Sequence, residues 1–508
     1  MRALTIALAV LAAPAAAQTV APGGADAPRE IAAPPGGPGA GPFGEPPVTG
    51  GIETGTVSIA PLGPPGAASG VLPSSVTGLP DDLWSASDAS DLAGRIAALP
   101  EAMPRAARAL ERVMMLAEAD PPGRGDPETL LAARLTRLVE RGHLDAAAAL
   151  AARTGGRSPA LRRIAFDIAL LLGDETEACR WTDPEAEAPE DYARRTFCLV
   201  RGGDFGAAST VFDGARALGT LDPVDELLLE LFLFPELLEE LEPPEPPRMP
   251  TPLQFRLYEA LGDPLATLDL PVPFARSDLR PINGWKSQIE AAERLTRAGA
   301  LEGTRLMQLY TDRRPSASGG VWDRAAAMRD LDAALMAANA GAVALALPRA
   351  VEALDMAALT AAMADALYPQ IAAIRPAGAE AQTAALRLGL LSADYAAAAN
   401  EWPEADAPHL AAARAVAAGD LPPPGGDSLD RAIAAAFAAD AAVPERLSRP
   451  REEGRIGESL VAALEDLAAG AAGDLVRLTG ALAFLRGAGF EDTARRTAIE
   501  LLIGRDAA

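Results

Sequence analysis

Two neighbouring stretches decide the fold of this chain: SPALRRIAFDIALLLGDETEACRWT at residues 158–182 and PEDYARRTFCLVRGGDFGAASTVFDGARALG at residues 189–219. Apolar residues recur every three or four positions in both stretches, which is the spacing of one face of an α-helix. Gly173-Asp174 and Gly203-Asp204 interrupt the two runs, because glycine commonly ends a helix and aspartate commonly caps the next one. We therefore predict four short helices, arranged as two hairpins, in these residues.

The first of these helices has a well-marked start. Ser158 can cap free backbone amides with its hydroxyl, and Pro159 occupies the first helical position, where no amide is needed. Leu161, Ile164 and Ile168 follow at helical spacing on one face. That face has to be buried against a neighbouring helix, so the hairpin is the smallest unit that the pattern predicts.

Glycine turns recur along the chain at a regular interval. Gly142, Gly173 and Gly203 lie about thirty residues apart, close to the length of a helix-hairpin repeat. Two antiparallel helices cannot bury both of their faces alone, so neighbouring hairpins have to stack. The predicted fold class is therefore all-α: an α-solenoid of stacked antiparallel helix hairpins, preceded by a disordered Pro/Gly-rich tail.

The hairpins around Gly142, Gly173, Gly203 and Gly262 resemble tetratricopeptide-like and related helical-hairpin repeats, over roughly residues 125–310. The chain also resembles a family of exported, alanine-rich bacterial helical proteins. The stretch that carries this second resemblance is AAERLTRAGALEGTRLMQLYTDRRPSASGGVWDRAAAM at residues 291–328. The two resemblances imply a helical repeat protein outside the cytoplasm, and neither implies a particular activity.

The only two cysteines of the chain, Cys179 and Cys198, flank the linker WTDPEAEAPED. An antiparallel pair of helices would bring them together, and a disulfide closing so short a loop stabilises a fold by roughly 3 kcal/mol. Two buried free thiols are the alternative, since cysteine is often a small core residue. We favour the disulfide because the chain carries an export signal. A metal site is not expected, because His143 and His409 lie far apart in sequence and two cysteines cannot complete a tetrahedral set alone.

Composition excludes some partners. The net charge of −25 and the isoelectric point near 4.6 argue against nucleic acid or an anionic membrane surface. Arginine supplies nearly all of the positive charge, since Lys286 is the only lysine. The sequence contains no cofactor motif, and we expect no cofactor.

The N-terminus predicts export. Arg2 precedes an apolar run from Ala3 to Ala13, and the alanines at 15–17 offer a cleavage site, so residues 1–17 are interpreted as a signal peptide. No later stretch has the length and hydropathy of a membrane span. We therefore expect a soluble protein of the periplasm, an oxidising compartment.

Proline and glycine divide the rest of the chain. The four predicted segments are a disordered Pro/Gly-rich tail at 18–80, N-terminal helical repeats at 81–242, middle helical repeats with a polar and aromatic loop cluster at 251–347, and C-terminal alanine-rich helical repeats at 348–508. The proline-dense stretch at 243–252 forms the boundary between the first two groups of repeats.

At the end of the tail and just beyond it, residues 55–84 carry Val57, Ile59 and Trp84 in an extended context. This segment is either a plain linker or a strand-like piece that docks along a groove.

One region gathers polar and aromatic residues that could form a ligand or partner surface. Its members are Arg280, Trp285, Lys286, Tyr310, Arg313, Arg314, Ser316, Ser318 and Trp322. Backbone amides of the loop at 316–320 could bind an anion, and a tryptophan could stack on a sugar ring or a peptide. The alternative is structural: the arginines pair with neighbouring carboxylates, and the tryptophans fill a core that has few other aromatic residues.

Soluble lytic transglycosylases combine a periplasmic helical superhelix with a catalytic domain, and the chain is similar to the superhelix. Glu458-Ser459 and residues 306–308 resemble short pieces of the catalytic motifs, but in reverse order and without a glycine-rich context. We interpret them as coincidence, and Glu458 as a solvated glutamate at a helix start. No catalytic residue is therefore assigned.

The sequence leads to two functional hypotheses. The first is a non-enzymatic periplasmic scaffold or adaptor, which binds a protein partner of the cell envelope through a helical-repeat groove. The second is a cell-wall protein that binds or processes peptidoglycan, using the region between Trp285 and Trp322.

Overall fold

The computed structural model describes residues 69–156, 158–182, 188–403, 405, 407–423 and 426–504. These residues are helical or lie in turns and loops, and the only β-type pairings among them are isolated bridges. The all-α prediction is confirmed for this part of the chain. The predicted signal peptide and the part of the predicted tail up to residue 68 lie outside the described residues.

The first twelve α-helices are α1 (Ser74–Thr77), α2 (Ala89–Ala97), α3 (Arg105–Leu116), α4 (Pro127–Glu140), α5 (Leu144–Thr154), α6 (Pro159–Leu172), α7 (Glu175–Arg180), α8 (Pro189–Arg201), α9 (Phe205–Leu218), α10 (Pro223–Leu233), α11 (Pro252–Ala260) and α12 (Trp285–Ala298). The next twelve are α13 (Gly303–Asp312), α14 (Val321–Met336), α15 (Ala340–Asp355), α16 (Thr360–Ile374), α17 (Ala379–Leu391), α18 (Tyr395–Glu401), α19 (Ala411–Ala418), α20 (Ser428–Phe437), α21 (Glu445–Glu452), α22 (Ile456–Ala471), α23 (Leu475–Gly487) and α24 (Glu491–Gly504). Three 3₁₀ helices cover Pro235–Glu239, Val272–Leu279 and Pro408–Leu410.

The predicted helix signals act as capping groups. The Ser158 side chain accepts a hydrogen bond from the Leu161 amide at the start of α6. Gly173 ends α6 in the left-handed conformation, and Asp174 then caps α7 by accepting from the Glu177 amide at 2.8 Å. Each local signal thus satisfies backbone groups that a helix end leaves free.

The disulfide between Cys179 and Cys198 is formed, and their Cα atoms lie 5.4 Å apart. It joins α7 to α8 beside a separate apolar cluster that includes Phe166 and Phe197, whose rings meet edge to face. The prediction of a bonded pair rather than two free thiols is confirmed. The bond therefore fastens a hairpin that has its own small core.

The first and last helices contact each other. In an open solenoid each hairpin contacts only its neighbours, whereas here α24 packs on α3, and α22 packs on α2 and α3. The Gly457 amide donates to the Leu83 carbonyl at 3.1 Å. Trp84 is only 1% exposed, and a Cβ atom added to Gly457 would lie 2.5 Å from its ring. These contacts join the two ends of the helical array.

The segment that precedes α2 is also packed. The amides of Val71 and Leu72 donate to the Leu116 carbonyl at 2.9 and 3.0 Å, and the Glu118 amide donates back to Leu72 at 2.8 Å. Arg134 lies beneath and donates to the carbonyls of residues 69, 115 and 117. Residues 69–80 therefore differ from the disordered tail predicted at 18–80, because backbone pairing compensates for their proline and glycine content. The docking alternative holds for residues 69–84.

Candidate functional site

The two tryptophans of the predicted surface form a core contact. Trp285 is 8% exposed, and its indole nitrogen donates to the Leu309 carbonyl at 2.8 Å. The half-buried Trp322 packs against it, with ring centroids 5.1 Å apart. The structure brings these two residues together, and their contact is mainly a packing contact in the core.

Tyr310 is fully buried and donates to Glu293 at 2.8 Å. Arg324 approaches the same carboxylate at 2.7 Å, so Glu293 holds α12 and α14 together. Burial, together with the charge of Glu293, raises the pKa of Tyr310 above its usual range. Tyr310 is therefore a structural residue and does not face solvent.

The remaining members of the predicted surface lie apart from this core. Arg280 pairs with Glu259 of α11, and the exposed Lys286 pairs with Glu290 along its own helix at 3.5 Å. Four exposed members belong to the end of α13 and the loop that follows it: Arg313, Arg314, Ser316 and Ser318. Arg313 contacts Asp312 at 3.1 Å. The alternative of structural pairing thus describes most of the set.

A different region concentrates positive charge. An open cleft of about 660 Å³ lies between α3, α4, α12 and the residues before α12, and we call it the outer cleft. Its arginines are Arg108, Arg137, Arg141, Arg294 and Arg297, and its carboxylates are Glu101 and Glu140. This excess of arginine occurs in a chain whose net charge is −25.

Three of these arginines are held by neutral partners. Arg294 donates to the carbonyls of residues 267 and 270, both at 2.6 Å. Arg297 donates to the carbonyl of residue 357 at 3.0 Å, and Arg108 donates to the Arg297 carbonyl at 2.8 Å. No carboxylate of the described residues lies within 4.0 Å of their guanidinium nitrogens. Their side chains are therefore fixed, although none of the three forms an ion pair with a described carboxylate.

The other two arginines form a buried clamp. Arg137 and Arg141 bind separate oxygens of Glu111 at 2.5 and 2.9 Å, and Glu111 is 2% exposed. Arg141 also donates to the Pro100 carbonyl at 2.9 Å. This clamp fixes α4 against α3 and forms the floor of the outer cleft.

The electrostatics of the outer cleft follow from burial. Burial lowers the pKa of Arg294, and the charge of Arg297 lowers it further, whereas the charges of Asp278 and Asp269 raise it. Burial also lowers the pKa of Arg108; Glu500 opposes this change, whereas the charges of Arg141 and Arg105 add to it. An anion placed in the outer cleft would relieve this repulsion.

A partly open cavity of about 310 Å³ adjoins the outer cleft, with Arg108 in the walls of both, and we call it the inner cavity. It lies between α3, the turn from α12 to α13, α16, α17 and α24. Its charged wall residues are Arg105, Arg108, Arg112, Glu302, Asp365, Arg496 and Glu500. Thr296 and His143 complete its polar lining.

His143 lies at the turn between α4 and α5. Burial, followed by the charges of Arg112, Arg141 and Arg108, lowers the pKa of His143 to about 4. The imidazole is therefore neutral at neutral pH, and it adds no charge to the arginine-rich wall.

Sequence reasoning missed both cavities, although part of the signal is visible. Arg105, Arg108 and Arg112 are spaced by three and four residues, which places them on one face of α3.

The prediction for Glu458 is wrong: it lies in the first turn of α22, but it is 9% exposed and pairs with Arg455 at 2.5 Å. It is therefore a buried partner rather than a solvated glutamate.

In the described part of the chain, no three or more histidine, cysteine, aspartate or glutamate side chains come together as metal ligands. None of the helices described is both long enough and apolar enough to cross a membrane. No protein-family model, curated protein or solved structure matches the chain.

Proposed function

We propose that this protein is an exported, non-enzymatic scaffold or adaptor of the cell envelope, which binds an acidic segment of a partner protein in the outer cleft. The observation that carries the proposal is that backbone carbonyls hold Arg108, Arg294 and Arg297 in place while no described carboxylate forms an ion pair with them. Guanidinium groups that are already fixed lose little conformational entropy when they bind a carboxylate, and this favours recognition.

The shape of the outer cleft supports a peptide ligand. It is open and has a volume of about 660 Å³. Met249 is 69% exposed, and with the half-exposed Leu270 it supplies apolar contact beside the arginines. A partner segment that combines acidic and apolar side chains would match both parts of the surface.

The periplasmic location belongs to the same proposal. The bond between Cys179 and Cys198 supports it, because structural disulfides persist mainly in oxidising compartments. The signal-peptide pattern at residues 1–17 points in the same direction. We also retain the resemblance to helical-hairpin repeats, whose stacked helices commonly present binding grooves.

Fluorescence anisotropy with a short labelled peptide of Glu and Ala tests the proposal. We expect saturable binding that weakens as salt rises, and a loss of about fivefold in affinity for Arg294→Gln and for Arg297→Gln. Arg313→Gln is the matched control, because Arg313 is exposed and lies outside the outer cleft. Equal binding of a peptide with Gln in place of Glu, or unchanged affinity in both cleft variants, would contradict the proposal.

A peptidoglycan-binding role is the second candidate, and one observation favours it. Trp322 is half-buried against Trp285 and leaves part of its ring accessible, close in sequence to the exposed Arg314. A pull-down on purified peptidoglycan tests this role. Retention that is lost on changing Trp322→Ala together with Arg314→Ala would support it, whereas absent retention, or retention that survives both changes, would eliminate it.

A further inference from the structure

The inner cavity has the size of a small-molecule site. Its volume of about 310 Å³ lies at the lower end of the range for ligand pockets. Its walls come from α3, from the turn between α12 and α13, and from α16, α17 and α24. Helices that are distant in sequence thus meet around one concave site.

Two buried donors in the wall have no partner among the described residues. The Thr296 hydroxyl belongs to a residue that is 2% exposed, and it makes no hydrogen bond. The Nε of Arg108 is also buried and unpartnered, although another nitrogen of the same guanidinium binds the Arg297 carbonyl. Buried polar groups nearly always have a partner, and these two donors are free to bind the acceptor oxygens of a ligand.

The acidic residues of the wall are largely occupied by other groups. Asp365 accepts from Arg105 at 2.6 Å and lies 3.7 Å from Arg496. Glu500 accepts from the Arg105 backbone amide at 2.7 Å, and so it caps the start of α3. These two carboxylates already have cationic or amide partners, and neither forms an ion pair with Arg108, although the charge of Glu500 offsets part of its charge. The third carboxylate of the wall, Glu302, is exposed.

Arg112 adds a second guanidinium group that has no ion pair in the described part of the chain. No carboxylate of the described residues lies within 4.0 Å of its guanidinium nitrogens. The N-terminus of α13 lies in the same wall, at Gly303, and no side chain caps it. A helix N-terminus attracts negative charge, so it reinforces the two arginines.

The rest of the wall is apolar and includes Ala106, Leu301, Ala361 and Leu390. A bare inorganic ion would leave this surface without contacts. An organic group attached to the anion would cover it and would gain the free energy of apolar burial.

From these observations we infer that the inner cavity binds a small organic anion. Its carboxylate or phosphate group contacts Arg108, Arg112 and Thr296, and its apolar body lies against the alanine and leucine wall. The inference goes beyond the proposed function, because the ligand is a small molecule and the site does not depend on a protein partner in the outer cleft.

Isothermal titration calorimetry with hexanoate and with phenyl phosphate tests the inference on the full chain. We expect at least one of them to bind saturably, and hexanol and inorganic phosphate to bind at least tenfold more weakly. The two organic probes distinguish a carboxylate head from a phosphate head. Absence of saturable heat for both organic probes, or equal binding of hexanol, would overturn the inference.

Two variants locate the binding. Thr296→Val removes an unpartnered hydroxyl at constant shape, so the fold should be retained while affinity falls about tenfold. Arg112→Gln, at an exposed position, should lower affinity by a similar factor. Arg294→Gln changes only the outer cleft, so it should leave the binding of the organic anion intact while it weakens binding of the acidic peptide. Unchanged affinity in both Thr296→Val and Arg112→Gln would overturn the inference and leave the peptide result standing.

Discussion

Glu111 is the residue on which the floor of the outer cleft depends. Its two carboxylate oxygens bind Arg137 and Arg141 while the side chain is almost wholly excluded from water. Removing Glu111 would leave Arg141 without an ion pair and Arg137 with only the half-exposed Glu140, which is costly for buried charges.

We predict that Glu111→Gln lowers the free energy of unfolding by about 3 kcal/mol, because Arg137 and Arg141 both lose their buried carboxylate partner. Glu140→Gln is the matched control: Glu140 also pairs with Arg137, at 3.2 Å, but its side chain is 50% exposed. Its effect should stay within about 0.5 kcal/mol. Urea denaturation of the two variants measures the difference, and equal losses of stability would contradict the clamp.

His143 predicts a pH dependence of stability. Its pKa is lowered to about 4 in the folded chain, chiefly by burial. Below pH 6.5 the unfolded chain binds a proton that the folded chain does not. The free energy of unfolding therefore decreases as the pH is lowered, by up to about 3 kcal/mol near pH 4. Asp167 has the opposite effect on the pH dependence of stability. Burial raises its pKa to about 6, although the charge of Arg194 acts to lower it.

Comparison with His143→Gln isolates the histidine, because Asp167 contributes equally to both proteins. Between pH 6.5 and 4, the variant should lose less stability than the parent chain. Thermal denaturation across this range measures the difference, and parallel profiles for the two proteins would refute the assignment.

At the residue scale the sequence identified local signals and missed the sites. The pairing of Cys179 with Cys198 was predictable, because only two cysteines exist and a helical hairpin brings them together. The outer cleft was not predictable, because Arg294 and Arg297 meet Arg108 only after α12 packs beside α3. A stripe of arginines on one helix is otherwise typical of a solvated surface.

Helix ends are the elements in which this chain departs from the usual turn chemistry. Ala338 and Ala358 adopt left-handed backbone angles, with φ of 48° and 52°, after α14 and α15. Glycine normally occupies this position, because a Cβ atom makes the conformation unfavourable by roughly 1 kcal/mol.

Ala338→Gly should therefore raise the free energy of unfolding by about 0.5 kcal/mol, after allowance for the greater backbone freedom of glycine in the unfolded chain. Ala337→Gly is the matched control, because Ala337 is also exposed but has right-handed helical angles, with φ of −77°. It should lower stability by a similar amount. Thermal denaturation of both variants checks the prediction, and a loss of stability in Ala338→Gly would contradict it.

Most elements could be predicted from the sequence, and the reasons are local. Gly173-Asp174 and Gly203-Asp204 end one helix and cap the next, whatever the rest of the chain does. Residues 69–80 could not be predicted, because their order comes from pairing with Leu116 and Glu118. Composition records the local preference of a segment and contains no information on such partners.

In the molecule as a whole, local sequence patterns could not predict the contact between the first and last helices. Gly457 allows it, since a Cβ atom there would lie 2.5 Å from the ring of Trp84 and 2.8 Å from the Leu83 carbonyl. No periodicity reveals that a single glycine of α22 meets a tryptophan more than three hundred residues earlier.

We predict that Gly457→Ala lowers stability by about 2 kcal/mol, because the methyl group overpacks this contact. Gly487→Ala is the control, because Gly487 also lies in a helix and has open space around its Cα. Hydrogen exchange should become faster around Leu83 and α2 in Gly457→Ala alone. Unchanged exchange there would show that the two ends do not depend on this contact.

In the proposed function, the outer cleft is a preformed site for acidic groups. NMR of the arginine Nε–Hε groups during titration with the Glu and Ala peptide tests it most directly. We expect the signals of Arg108, Arg294 and Arg297 to shift together and to saturate at one peptide concentration. Shifts confined to exposed arginines such as Arg313 and Arg314, with the three cleft signals unmoved, would contradict it.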